Sequence, residues 1–151
     1  MSDVCPYDIL GNIMRLVLDT NVLIAARRSR LGASNALLRL LDAGAFTALV
    51  SVPLFLEYEA VLTRPSQLAA LNVSEAAVLG FLDYLAGVVE PVQLHYLWRP
   101  QLGDITDEMV LETAINGQAA AIVTFNARHF TAAERFGIAV LWPEAILRRI
   151  G

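Results

Sequence analysis

Apolar positions in this chain fall into short solid runs that alternate with stretches of helical spacing. Leu16, Val17 and Leu18 form a run that reads as a buried strand. In residues 33–43, Ala36, Leu37, Leu40 and Leu41 recur at helical spacing, and Gly44 follows as a C-terminal stop. Residues 46–51 predict a second strand. Pro53 suits a first helical turn, so a helix is predicted over 53–63, broken by Arg64-Pro65-Ser66. Ser74 is an N-cap for a helix with Val78, Phe81, Leu82 and Leu85 on one face. Residues 88–97 read as extended, with Pro91 marking an edge or a strand start. A helix over 106–116, strands at 120–124 and 138–141, and a closing helix from Trp142-Pro143 to about Arg149 complete the pattern. Alternation of this kind predicts an α/β fold: three layers, with a mainly parallel central sheet flanked by helices. Residues 1–13 lack a period, although Tyr7, Ile9 and Leu10 are able to pack. They are expected to be an N-terminal extension to a domain over 14–151.

Composition adds limits. With 151 residues, 56% of them hydrophobic, the chain has one domain's length and a generous core. No apolar run approaches the roughly 18 residues of a membrane helix, so no membrane is expected. Asp3 and Asp8 near the start do not suit a secretory signal. The single cysteine, Cys5, excludes an internal disulfide and points to a reducing cytoplasm. The formal charge of −4 argues against tight non-specific binding to nucleic acid. It does not argue against phosphodiester chemistry, because a knot of acids lowers net charge without describing its rim. All 11 basic residues are arginines, whose forked donors match phosphate.

In an open parallel sheet, ligands collect outside the carboxyl ends of the strands. Asp19 follows the first strand directly, and Glu57 lies one turn into the helix after the second. Asp107 starts the helix before the 120–124 strand, with Asp104 in the loop ahead of it, and Asn126 follows that strand. Oxygen donors of this kind suit Mg²⁺ or Mn²⁺. Each position also has a plain structural reading. Asp19 caps a helix, Glu57 is a solvated helix residue, Asp107 and Glu108 complement a helix dipole, and Asn126 is a turn residue with positive φ. What favours chemistry is that all four recur at matching points of successive βα units.

These segments resemble the PIN-domain family. Leu16-Val17-Leu18-Asp19-Thr20-Asn21-Val22-Leu23-Ile24 is similar to the family's opening motif, and Glu57 to Pro65 to its second. Asp104-Ile105-Thr106-Asp107 resembles the third, and Ile122-Val123-Thr124-Phe125-Asn126 the fourth. The resemblance runs in order from Met14 to about Leu141. It implies a metal-dependent ribonuclease leaving 5′-phosphate and 3′-hydroxyl ends, with Asp19, Glu57 and Asp107 as the acidic core. Asp19 and Asp107 would hold the metal, with Asp104 and Asn126 as further ligands. Glu57 would orient or deprotonate the attacking water, with Thr124 and Asn21 in support. Glu59 is disfavoured, because helix residues two apart point to different faces. Asn126 is a departure, since many relatives carry an aspartate there.

Arg27, Arg28 and Arg30, close after Asp19, are candidates to steer RNA, and Arg64 and Arg128 are lesser ones. A solvated helix end is the plain reading of the cluster. His95 and His129 have no partner legible in sequence, which disfavours histidine acid–base catalysis. A dinucleotide-binding enzyme would need a glycine-rich turn where Asp19-Thr20-Asn21 stands. A phosphotransferase using Asp19 would lack a lysine partner. A catalytically weak domain that binds RNA or protein remains the alternative. Many PIN proteins of this length are VapC-type toxins held by an antitoxin, so such a partner is an expectation of the resemblance. An apolar chain with few charges also predicts a homodimer, built on the helices at 33–43 and 53–63.

Overall fold

In a computed structural model of the chain, the structure describes residues 13–95 and 104–150. The proposed extension, apart from Ile13, lies outside the described residues, as does the end of the extended segment at 96–97. Five strands form one parallel sheet in the order β3-β2-β1-β4-β5: β1 is Arg15–Leu18, β2 Thr47–Val50, β3 Glu90–Pro91, β4 Ala121–Val123 and β5 Ala139–Leu141. The fold class is the expected one. Strand β1 is central, with Leu16 opposite both Ala48 of β2 and Ala121 of β4. Leu16, Val17, Leu49, Ile122 and Val123 are completely buried, as strands covered on both faces must be.

Seven α-helices connect and cover the strands: α1 Thr20–Arg28, α2 Ala33–Asp42, α3 Val52–Leu62, α4 Pro65–Leu71, α5 Glu75–Val88, α6 Ile105–Asn116 and α7 Pro143–Ile150. Their starts follow local chemistry. The Ser51 hydroxyl accepts from Leu54 N at 3.4 Å and the Ser74 hydroxyl from Ala77 N at 3.1 Å, each satisfying an orphan donor of the first turn. Gly44, just past α2, takes φ 77°, which costs a glycine little. Among the described residues no single helix is long and apolar enough to cross a membrane.

Three details differ from the sequence pattern. Arg64-Pro65 ends α3 but also opens the short helix α4, because proline at the first turn starts a helix as readily as it stops one. The extended segment expected from residue 88 begins later, since Val88 closes α5 and only Glu90 and Pro91 pair as a strand. Pro91 does lie on the sheet's edge, where its missing N–H costs nothing. After β4 the chain enters a 3-10 segment, Ala127–Phe136, in which Phe130 and Ala133 are fully buried.

Two buried polar links hold α3 in place. The Ser51 hydroxyl lies 2.7 Å from that of Thr113 on α6. Tyr58 of α3, 1% exposed, donates its phenolic hydroxyl to the carbonyl of Leu18 at 2.5 Å. Burial, together with the nearby Asp19 carboxylate, pushes the Tyr58 pKa well above the ordinary phenol value, so the group stays a neutral donor. Tyr58→Phe strips this donor from a buried carbonyl, and should lower the unfolding free energy in urea by about 1–3 kcal/mol.

Candidate active site

The strand order reverses at β1. The chain runs from β1 outward through β2 to β3, then returns to the far side of β1 as β4. Helices leaving β1 and β4 therefore diverge, and a crevice opens beyond the carboxyl ends of these two strands. Asp19 and Thr124 are the first residues past those ends. Asp19 N donates to Val123 O at 2.9 Å, so the ladder continues up to the crevice floor.

Asp19 is 5% exposed. One carboxylate oxygen accepts from Thr20 N at 2.8 Å, as an N-cap of α1, and the other accepts the Thr124 hydroxyl at 2.7 Å. The capping reading and the functional one thus describe the same residue. Thr124 is fully buried and also receives Asn126 N at 3.0 Å. Asn21 reaches across from α1, with its amide nitrogen 3.5 Å from the Thr124 hydroxyl and its amide oxygen 3.4 Å from Phe125 N.

Around this floor lies a cleft of about 300 Å³, lined by Asp19, Asn21, Glu57, Asp104, Asp107 and Asn126 among others. The wide separations in sequence are closed by the fold. Glu57 lines the cleft and Glu59 does not. One oxygen of Glu57 is buried without a hydrogen-bond partner. Asp104 caps α6, accepting from Thr106 N at 2.7 Å and Asp107 N at 3.4 Å, while still lining the cleft. Asn126 has φ −116°, so its position does not come from a need for positive φ.

The acids act on one another. Burial raises the Asp19 pKa above the ordinary 3.8, against the lowering effect of its hydrogen bonds to Thr124 and Thr20. Burial also raises that of Asp107, with further contributions from the charges of Asp19 and Asp104. Among the described residues no basic side chain forms an ion pair with Asp19. Asp19 is thus deeply buried, with neutral donors in its two hydrogen bonds. The donor set therefore fits a hard divalent ion: oxygen donors only, a buried anion, and an unpartnered oxygen of Glu57. Among the described residues no three His, Cys, Asp or Glu side chains are gathered into a ready cage.

Two basic side chains reach the cleft, and neither belongs to the arginine cluster after Asp19. His129 lies with Nδ1 3.3 Å from Asp107 Oδ2, a partner that sequence did not reveal, and Arg64 stands at the junction of α3 and α4. Arg27, Arg28 and Arg30 do not line the cleft, and Arg27 instead sits 4.9 Å from the ring centroid of Phe81. His129 follows Asn126 by three residues, a spacing that a helical turn after the fourth motif would have placed on the same side. Tyr58 was also overlooked, although its spacing from Leu54 and Leu62 marks it as the polar tip on a buried face.

The family profile described as "PIN domain" matches residues 15–128. Among solved structures, VapBC2 from Rickettsia felis, bound to a DNA fragment from their promoter, is similar with a TM-score of 0.60 at 17% identity. The match covers 85% of this chain and 99% of that one. At that identity the likeness is one of fold. No match is found among curated proteins by sequence. With the ordered motifs, the parallel sheet and the family match in agreement, the chain belongs to the PIN-domain family, whose members are generally nucleases.

Proposed function

We propose that this PIN domain is a divalent-metal-dependent endoribonuclease, and that it serves as the toxin of a toxin–antitoxin pair. The observation that carries the nuclease reading is the buried Asp19 carboxylate, with no ion-pair partner among the described residues, in a cleft shared with Glu57 and Asp107. The antitoxin rests on family resemblance and on the VapBC2 neighbour. Asp19 and Asp107 would hold Mg²⁺ or Mn²⁺, with Asp104 and Asn126 as further oxygen donors. When bound, the ion acidifies water and offsets charge developing on the phosphoryl oxygens. Thr124 fixes the Asp19 carboxylate through a 2.7 Å hydrogen bond, and Asn21 steadies Thr124. Glu57 presents an unengaged oxygen to orient or deprotonate the attacking water. Water attacks phosphorus and the bond to O3′ breaks, leaving 5′-phosphate and 3′-hydroxyl ends. Arg64 and His129 are the cleft's contacts to RNA phosphate. The apolar residues exposed on α3, Val52 and Leu56, supply part of a homodimer face.

Asp19→Asn separates the metal's role from the fold's. The amide keeps the shape and the bond from Thr20 N at Oδ1, turns the acceptor of the Thr124 hydroxyl into an N–H donor to it, and carries no charge. Because the folded pKa of Asp19 is raised, ionised Asp19 opposes folding in the metal-free protein, and this penalty grows as pH rises from 3.8 through the folded value. Metal-free Asp19→Asn should therefore melt a few degrees above wild type at neutral pH. It should also lose RNA cleavage and the rise in Tm that Mn²⁺ gives wild type. Cleavage undiminished in Asp19→Asn, or in wild type with excess EDTA, would mean another mechanism.

Asn126→Asp restores a carboxylate at the one motif position that departs from many relatives. It should lower the Mn²⁺ concentration for half-maximal cleavage by roughly tenfold, the order of effect that a metal site's supporting groups have. A wild type that binds RNA without metal-dependent cleavage, and an Asn126→Asp variant that gains it, would instead identify a binding module.

Arg64→Ala should weaken RNA binding and reduce the slope of log K against log salt by about 0.7, the value for one phosphate contact on a single strand. Arg28→Ala should leave the slope unchanged. Fluorescence anisotropy with a labelled RNA across a salt series measures both.

A further inference from the structure

At the carboxyl edge of β5, one strand beyond the cleft's floor, stands Trp142, 51% exposed. Its local position does not ask for an indole. Its carbonyl accepts from Ala145 N at 3.0 Å and Ile146 N at 3.3 Å, which makes it the residue leading into α7. Side chains with a short hydroxyl, amide or carboxylate serve that position, and an indole supplies no capping acceptor. Nor is burial the reason, since half of its surface meets water.

The ring is nevertheless held. Phe125 meets Trp142 edge to face, with centroids 5.6 Å apart and planes at 82°. Phe125 lies between Thr124, which binds Asp19, and Asn126, which lines the cleft. Strand β4 also fixes the height of β5, because Thr124 N donates to Leu141 O at 3.0 Å. Asp19, Phe125 and Trp142 thus follow the ends of three adjacent strands. Two strand spacings of about 4.8 Å put the start of the α7 turn about 10 Å from β1 across the sheet. An exposed, braced aromatic at that range from a phosphate site suits a base of the same strand.

We propose that Trp142, braced by Phe125, is a stacking platform for a nucleobase flanking the phosphate held in the cleft. The inference rests on the nuclease reading for the position of that phosphate. Stacking on an aromatic face tolerates any base, so the platform selects unpaired strand rather than sequence. Bases already stacked within a duplex cannot lie on it.

The chain contains 2 tryptophans, so Trp98→Phe leaves Trp142 as sole reporter. Fluorescence of that variant should be quenched on titration with a single-stranded RNA dodecamer. A dodecamer of abasic ribose phosphates, with the same charge, should not quench it, and an RNA duplex should quench it weakly. Trp142→Ala should weaken binding of the single strand by about tenfold, while Trp142→Phe retains most of it. Equal quenching by the abasic strand, or unchanged binding by Trp142→Ala, overturns the platform. The two readings fail separately. Metal-dependent cleavage with unchanged KM in Trp142→Ala removes the platform and leaves the nuclease. Quenching by bases in a protein that never cleaves leaves the platform and removes the nuclease.

Discussion

The pairing of β1 with β4 is the constraint from which the site follows. These strands are distant in sequence yet run side by side, with Leu18 opposite Val123. Their pairing places Asp19 and Thr124 at the same height and lets a 2.7 Å hydrogen bond join them. It also creates the reversal in strand order that opens a crevice at that point. Apart from Arg15 both strands are buried, and a one-residue slip would reverse which faces their side chains occupy. The apolar core therefore holds the register, and the register holds the carboxylate.

A second layer of constraint acts on the helices. Tyr58 ties α3 to the carbonyl immediately before Asp19, and Ser51 ties the start of α3 to Thr113 of α6. These links bring the helix that carries Glu57 and the helix that begins near Asp107 to the same end of the sheet. Neutral buried donors suit this work, since they fix geometry without adding charge beside the acids. Desolvation, with mutual repulsion behind it, raises the pKa values of Asp19 and Asp107, an unfavourable energy for their ionised forms. His129 tempers it at Asp107.

The cleft's lining is not uniformly acidic. Its acids are concentrated at one strand end, while Arg64 and His129 line the same cleft. The arginines next to Asp19 in sequence are turned to other work, as Arg27 on the Phe81 ring shows. Thr20, Asn21 and Ile24 in the first turns of α1 line the cleft, and the arginines come after them. On the far side of β4, Phe125 and Trp142 extend the same edge with aromatic surface rather than charge.

The alternation of buried strands and helices, the parallel sheet and the family were all legible along the chain. So were Asp19, Glu57, Asp104, Asp107 and Asn126 as candidates, each at a recognisable point of a βα unit, and the fold brings all five to one cleft. Those features are local: a solid apolar run, a cap, a helical period. Only the tertiary structure decided the rest. That α4 follows Arg64, that His129 meets Asp107, that Tyr58 reaches Leu18, and that the cluster after Asp19 misses the cleft all depend on which strands become neighbours. A side chain's own sequence neighbourhood carries its periodicity, but its partners across 40 to 105 residues are chosen by core packing.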